Sequence, residues 1–386
     1  MKPGTPSLLR AINDRAALEA LLERGPLTRP EIGTLTGLSK PTASQLLSRL
    51  QEAGLVVLDG IREGLPGRTA EVYRINPEAA YAAALDVTPD RIEVRVADLT
   101  GTVVGEHTLE TPRRPTGGLV ERLKSALAGA NPPPGLRHVV IGVQAAVDPS
   151  TGKLGYATAK DMPGWQIPDL VPTLGKGLGV PVDVENNVNL VALAEQAHGA
   201  ARGHGDFVLL WADEGLGSAV VLGGRLHRGA TGGAGEVGYM PTPGAPTARE
   251  TGRTGDHGYQ ALTGGRAIHK LLRSYGVRGA DFRQAITNAV RLSPRSDDAR
   301  AGLRDVAARL AVGLAAITSV LDPALIVLTG GVLSAGGETL RELIEHELHA
   351  QTIPRPQVRL SSVEGNPVLA GALGLALDAT REEVFP

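Results

Sequence analysis

The hydrophobic pattern of the chain changes its period near residue 55. Before that point it is helical. Leu8, Ile12, Leu18, Leu21 and Leu22 recur at helical spacing, and Gly25-Pro26 ends the run. Thr28 stands ahead of Pro30, which opens a second, short helix over 30–37 that stops at Gly37. Ser39 caps a third helix over 40–53, with Pro41 in the first turn, where a missing N–H costs nothing. Beyond Gly54 the segment LVVLDGIREGLPGRTAEVYRI predicts two strands around a loop of Gly, Arg and Pro. Helix, short helix, tight turn, helix and hairpin together predict a winged helix-turn-helix over 1–78.

From residue 79 the pattern alternates strands with helices. Residues 81–86, 91–99 and 102–109 predict an antiparallel meander, followed by a helix over 117–127 and the turn NPPPG. The stretch 181–240 organises the remainder. An apolar strand delivers Glu185, Asn186, Asn187 and Asn189, a helix over 188–201 follows, and two further strands lead to a second polar cluster at Glu236. A helix-rich stretch to Leu321, a strand with a Gly-Gly turn, and a last apolar helix close the chain. The fold class is α/β.

Composition narrows the function classes. The 386 residues suffice for two or three domains, and a formal net charge of −2 excludes a chain-wide attraction to nucleic acid. Residues 1–75 carry ten Lys and Arg against eight Asp and Glu, so any affinity for DNA is local. The absence of Cys excludes disulfides, thiolate zinc sites and cysteine nucleophiles. No apolar run approaches the roughly 20 residues of a membrane helix, and the chain reads as cytoplasmic with no membrane partner.

Two sets of residues carry candidate chemistry. With Leu46, Leu47 and Leu50 inward, the third helix leaves Lys40, Thr42, Ser44, Gln45 and Arg49 for a major groove, while Arg62 and Arg68 lie in the hairpin within reach of phosphate or a minor groove. A winged helix used only for protein contact has the same layout. Asn186, Asn187 and Glu236 suit hydroxyl recognition, because amides donate and accept while a carboxylate accepts strongly. The Asn cluster equally suits a helix cap.

The segments MPGW, VENNVN and GAGEVGY, in this order behind a winged module, resemble the ROK family of repressors, open reading frames and sugar kinases on the actin-like ATPase fold. The resemblance spans about residues 8–377. It implies a two-lobed body with domains at 1–78, at 79–185 completed by about 367–386, and at 186–366, the last with an oligomerisation surface. Family kinases read E-N-D-x-N, and Asn187 stands at the position of their catalytic Asp. Where they have D-x-G-G-T-K this chain has Asp86, Val87, Thr88, Pro89, Asp90 and Arg91. Asp213 and Glu214 stand at the Gly-Thr of their second phosphate loop. Tyr239 replaces the zinc-binding His, and His257 in the Cys-free loop reads as an exposed residue. Gln260 stands where the kinases place a sugar-contacting Glu, and GLPGRT is similar to the family's wing tip with Thr69 in place of Pro.

These departures imply no catalytic residues, no cofactor and no metal site. The expectation is a DNA-binding transcriptional regulator, a repressor of carbohydrate-related genes, with a body that senses and oligomerises. A ROK-type ATP-dependent sugar kinase bearing an N-terminal DNA-binding domain is the alternative. The partners implied are a palindromic double-stranded DNA operator, a sugar or sugar derivative held between the lobes by Asn186, Asn187, Glu236 and Gln260, and a second copy in a homodimer or dimer of dimers.

Overall fold

The computed structural model describes residues 6–63, 69–111, 118–155, 162–251 and 257–386. The winged module comprises α1 (Pro6–Arg24), β1 (Leu27–Thr28), α2 (Arg29–Thr36), α3 (Lys40–Glu52), β2 (Val56–Glu63) and β3 (Thr69–Ile75). Local chemistry sets its turns. The Glu31 carboxylate accepts from the Thr28 N–H and hydroxyl, each at 2.7 Å, which fixes the start of α2. Gly37, at φ 70°, closes that helix in the left-handed conformation, and Ser39 Oγ accepts from Thr42 N at the head of α3. The tight turn between the two helices follows. The sheet order is β1-β3-β2, and the two-residue β1 is a pairing the sequence pattern did not announce.

The body continues with β4 (Tyr81–Val87), β5 (Arg91–Asp98), β6 (Val103–Glu110), α4 (Leu119–Gly129), β7 (Leu136–Val143), the short β8 (Ala146–Val147) and β9 (Leu154–Gly155), α5 (Leu170–Leu178) and β10 (Val182–Asn186). Next come α6 (Asn187–His198), β11 (Phe207–Ala212), β12 (Leu216–Leu222), β13 (Arg225–Leu226), α7 (Ala248–Thr251), α8 (Gly258–Thr263), α9 (Gly265–Ser274), α10 (Phe282–Leu292) and α11 (Asp297–Leu321). The chain ends through β14 (Leu325–Thr329), α12 (Gly331–Gln351), β15 (Gln357–Leu360) and α13 (Pro367–Val384). The two five-stranded sheets have orders β10-β7-β4-β5-β6 and β13-β12-β11-β14-β15. Each joins antiparallel neighbours to parallel ones, so helices cover strands that are apolar on both faces, such as the wholly buried β4 and β14. The expected meander is the β4-β5-β6 half of the first sheet.

The chain forms two compact units. Unit 1 takes Met1–Gly142, Leu170–Val184 and Ala372–Pro386, and unit 2 takes Val143–Asp169 and Glu185–Gly371. The division expected near residue 78 therefore falls inside unit 1. One apolar cluster explains this, because Leu18, Leu21, Leu46, Leu47, Leu50, Tyr73 and Ile75 of the winged module share it with Ala80, Leu99 and Phe385. Arg381 supports the junction by donating from Nε and Nη2 to the Leu99 carbonyl at 3.2 and 3.1 Å. Of the apolar residues that set the helical spacing of α1, Leu18 and Leu21 enter this core, whereas Leu8 and Ile12 are 53% and 54% exposed. Residues 8–12 of α1 contribute no buried side chain to it.

Unit 2 centres on a cluster in which Ile268, Leu272, Phe282, Leu303, Leu310 and Leu314 pack against Leu210, Ile326 and Leu328 of its sheet. Tyr259 is its largest fully buried side chain, and its hydroxyl donates to the Leu310 carbonyl at 2.6 Å.

Phe385 is 5% exposed, so Phe385→Ala removes a ring from the shared core of unit 1. The expected loss is about 3–5 kcal/mol. It is read as a clear drop in the melting temperature of the full-length protein, and an unchanged melting profile would show that the C-terminus does not belong to that core.

Candidate functional site

The candidate DNA-facing surface begins with α3. Lys40, Thr42 and Gln45 are exposed on the face opposite the buried Ala43, Leu46, Leu47 and Leu50. Ser44 is half-buried and its hydroxyl donates back to the Lys40 carbonyl at 3.0 Å. Arg49 is tied to Asp14 of α1, Nη2 to Oδ1 at 2.5 Å, and Arg62 of β2 to Glu31 of α2, Nη1 to Oε1 at 2.9 Å. These two expected DNA contacts thus also brace the module internally. Arg68 lies outside the described residues. Arg29 was missed by sequence reasoning. Its Nη2 donates to Tyr73 and Glu71, both at 2.9 Å, and so ties the start of α2 to β3. No spacing rule announces an arginine that acts on a strand 42 residues later.

The candidate effector cluster lies in unit 2 and is assembled on the first residues of β12. Val188 of α6 packs against Gly217, where a Cβ would approach its methyl to 2.9 Å. Gly235, at φ +93°, sits so close to Ser218 that a Cβ would lie 2.0 Å from the Ser218 carbonyl oxygen, and Ser218 N donates to Gly235 O at 2.9 Å. Gln260 Oε1 accepts from Leu216 N at 3.3 Å. Three segments separated by dozens of residues thereby dock on residues 216–218.

Asn186, Asn187, Glu236 and Gln260 arrive there in different states. Asn186 caps α6: its Oδ1 accepts from Val188 N and Asn189 N at 2.8 and 3.3 Å, and its Nδ2 donates to Ala145 O at 3.0 Å. That side chain is committed to the scaffold. Asn187 Oδ1 accepts from Val188 N at 2.9 Å, and its amide nitrogen remains as a donor. Glu236 is half-buried and its carboxylate has no partner among the described residues. Burial pushes its pKa above the usual range. Glu185, by contrast, accepts from Arg228 Nε at 2.6 Å, Asn189 Nδ2 at 2.9 Å and its neighbour Asn186 N at 2.8 Å. Arg228, which fixes the loop that carries Glu236, is a second residue the sequence did not point to.

Both phosphate loops expected to be altered are filled by the protein itself. In the β4–β5 turn Thr88 N donates to Arg91 O at 2.9 Å and Arg91 N to Thr88 Oγ1 at 3.1 Å, while Pro89 has no N–H to offer. In unit 2 the Asp213 carboxylate accepts from Gly331 N, the first residue of α12, at 2.7 Å and from Glu214 N at 2.9 Å, and it pairs with Arg283 of α10. A side-chain anion thus occupies the helix terminus where an anionic ligand would be held. His257 departs from the exposed position expected of it. It is 6% exposed and its ring lies 5.4 Å from that of Tyr239, and it directly precedes Gly258 and the fully buried Tyr259, whose N–H donates to the Met240 carbonyl at 2.9 Å. Among the described residues no group of His, Cys, Asp and Glu could hold a metal ion, and no helix is long and apolar enough to cross a membrane.

Comparison with known proteins sets these sites in context. The ROK family model matches residues 82–379, and the MarR family model matches residues 12–63. The chain is 24% identical to a xylose repressor of Caldicellulosiruptor bescii over 97% of both chains. It is 23% identical to the xylose repressor of Bacillus subtilis over 96% of both. A crystal structure of a ROK family transcriptional regulator, a homolog of the E. coli MLC protein, shares the fold at TM-score 0.75 and 18% identity, covering 98% of this chain and 99% of that one. A ROK family glucokinase from Streptomyces griseus, solved with glucose and AMPPNP, has TM-score 0.61 and 25% identity, covering 78% of this chain and all of that one.

The state of Glu236 has a pH signature. A carboxyl whose folded pKa is raised binds more protons folded than unfolded, so its ionisation destabilises the fold as pH rises from the ordinary value of 4.5 through the raised one. Glu236→Gln is therefore expected to melt higher than the parent at neutral pH, with the gap closing as pH falls towards 4.5. A gap that does not change with pH would contradict the burial of this carboxylate.

Proposed function

The chain belongs to the ROK family, and we propose that within it this protein is a DNA-binding transcriptional repressor of carbohydrate-related genes rather than a sugar kinase. The observation that carries this reading is the extent of the match to curated xylose repressors, which runs through the winged module as well as the body and covers nearly the whole of each chain. The site chemistry supports it. Asn187 cannot take a proton from a sugar hydroxyl as a carboxylate does, Asp213 holds the α12 terminus, and the β4–β5 turn spends its amides on itself. ATP-dependent turnover across a sugar panel, persisting through purification, would overturn the regulator reading in favour of the kinase.

In this reading α3 enters the major groove of a palindromic operator, with Lys40, Thr42, Ser44, Gln45 and Arg49 along the groove and Arg62 and Arg68 of the wing near the backbone. A single module of this size offers little specific area, so two copies act together as a dimer or a dimer of dimers. The effector is a small hydroxylated ligand, a sugar or sugar derivative, held by Asn187, Glu236 and Gln260, with Asn186 shaping the helix start beside them. Glu236 carries most of this assignment, since a half-buried carboxylate with no partner among the described residues accepts well from hydroxyl groups. Repression and its release belong in the cytoplasm, where the operator is.

A covalent route joins these functions. Leu190 of α6 packs so tightly on Gly371 of α13 that a Cβ there would lie 1.9 Å from its carbonyl oxygen. Some 14 residues on, Phe385 stands in the core of the winged module. An effector that alters α6 acts on the same helix that ends against the DNA-binding core, provided that it binds the two states with different affinity.

Gln45→Ala is expected to relax base preference and cost roughly 1–3 kcal/mol where it contacts adenine through both amide atoms, whereas Arg68→Ala weakens binding to most sequences alike. A footprint unaltered by either change shows that the reading surface lies elsewhere. Light scattering at micromolar concentration, with and without operator, checks the assembly, and a monomer in both conditions contradicts it. Glu236→Ala is expected to abolish calorimetrically detected sugar binding while leaving the footprint intact.

A further inference from the structure

A cavity of about 330 Å³ lies in unit 1, where the winged module meets the turn between β5 and β6, and neither the DNA-facing residues nor the effector cluster account for its lining. Its volume is at the lower end of the roughly 300–1,000 Å³ of pockets that hold small ligands. Leu22 of α1, Pro26 just beyond it and Pro77 after β3 give it an apolar side. The polar side comes from the sequence DLTGT at 98–102. Asp98 closes this turn, since its Oδ1 accepts from Thr100 N at 2.9 Å, Thr100 Oγ1 at 2.6 Å and Thr102 N at 3.1 Å. The Thr100 hydroxyl is thereby spent, so Thr102 is the donor in the 3.1 Å contact between the two hydroxyls. What remains at this end accepts: the second carboxylate oxygen, Oδ2, which has no hydrogen-bond partner among the described residues, and the lone pairs of Thr102 Oγ1.

Asp98 is 7% exposed, and no cation is hydrogen-bonded to it among the described residues. Arg74 also lines the cavity, but it donates from Nε to Asp59 Oδ1 at 2.7 Å and from Nη1 to the Ile75 carbonyl at 3.3 Å. Arg381 is near enough for its charge to interact with that of Asp98, yet its Nε and Nη2 are directed at the Leu99 carbonyl. A buried carboxylate with one oxygen unpaired is costly, and a ligand that brings a cation to it recovers that cost. We propose that this cavity binds a small organic ammonium, its N–H groups on Asp98 Oδ2 and Thr102 Oγ1 and its apolar body against Leu22, Pro26 and Pro77. A primary ammonium has three donors and no acceptor, the complement of an end that only accepts, and its hydrogen bonds to a carboxylate are of the strong, charge-assisted kind. An alkali cation would leave the apolar side empty, a neutral alcohol lacks the charge, and an anion would face Asp98. The site stands on its own lining and is independent of the sugar-effector reading.

Calorimetry and thermal-shift measurements on the full-length protein test this with isobutylamine, cyclohexylamine and benzylamine, the alcohols of the same carbon skeletons, and potassium chloride at matched ionic strength. At least one amine is expected to bind about ten times or more tightly than its alcohol and to raise the melting temperature. Asp98→Asn keeps an oxygen for the three donors of the turn while removing the charge, and should weaken the amine about tenfold. Thr102→Val, which removes one acceptor, should weaken it about threefold, and Glu236→Ala should leave it unchanged. The proposal is overturned if no amine binds, if the alcohols bind as well, or if potassium chloride stabilises the protein as much as the amines do. Amine binding indifferent to both Asp98→Asn and Thr102→Val, or lost in Glu236→Ala, overturns it as well.

Discussion

The candidate effector site depends on one buried charge. Glu185 sits at the end of β10 with its carboxylate withdrawn from water. A buried carboxylate is tolerated only when its oxygens are satisfied, and breaking such a pair commonly costs about 3–5 kcal/mol. Here the satisfying groups are Arg228 from the loop after β13, Asn189 from the first turn of α6, and the adjacent Asn186 amide. The need to pair one charge therefore fixes the start of α6 and the loop leading to Glu236 in the same act. Glu236 itself is left with no partner among the described residues.

The same logic of anion placement separates this body from its kinase relatives. A helix N-terminus favours an anion, and a nucleotide-binding site uses that preference for phosphate. In this chain the preference at α12 is met internally by Asp213, held from the other side by Arg283. An incoming phosphate would have to displace a hydrogen-bonded carboxylate and would face its charge. The loss of the glycines in the β4–β5 turn is a second, independent obstacle, since the turn is closed by Thr88 and Arg91.

Legibility in the sequence followed the range of the interactions. Caps, periodic helices and alternating strands are local, and Ser39, Gly37 and the β4-β5-β6 meander could be read directly. The two lobes and the candidate site were legible only through motif order, because Gly235, beside Glu236, and Gln260 reach residues 216–218 by contacts that no spacing rule expresses. The pairings Arg228 with Glu185, Arg283 with Asp213 and Arg29 with Tyr73 join residues 42 or more positions apart, and nothing in an arginine's neighbours announces its partner. The dual state of the Asn cluster was legible as a pair of alternatives. The cap alternative holds at Asn186, while Asn187 keeps its amide nitrogen as a donor.

The shared core of unit 1 limits how a signal can reach DNA. A winged module on a loose tether could change orientation at little cost, but this one buries Leu18, Leu21 and Tyr73 in one cluster with Leu99 and Phe385. It must move with the first lobe or give up that burial. The effector then has to supply the difference in free energy through its own contacts. Inverting a hundredfold bias needs about 5.5 kcal/mol of differential binding, whereas a neutral hydrogen bond gives about 0.5–1.5 kcal/mol and one to a charged group about 1.5–3 kcal/mol. Amides such as Asn187 and Gln260 supply little of that total. A charged contact is what the proposed effector reading needs, and Glu236 is the carboxylate that reading assigns to it.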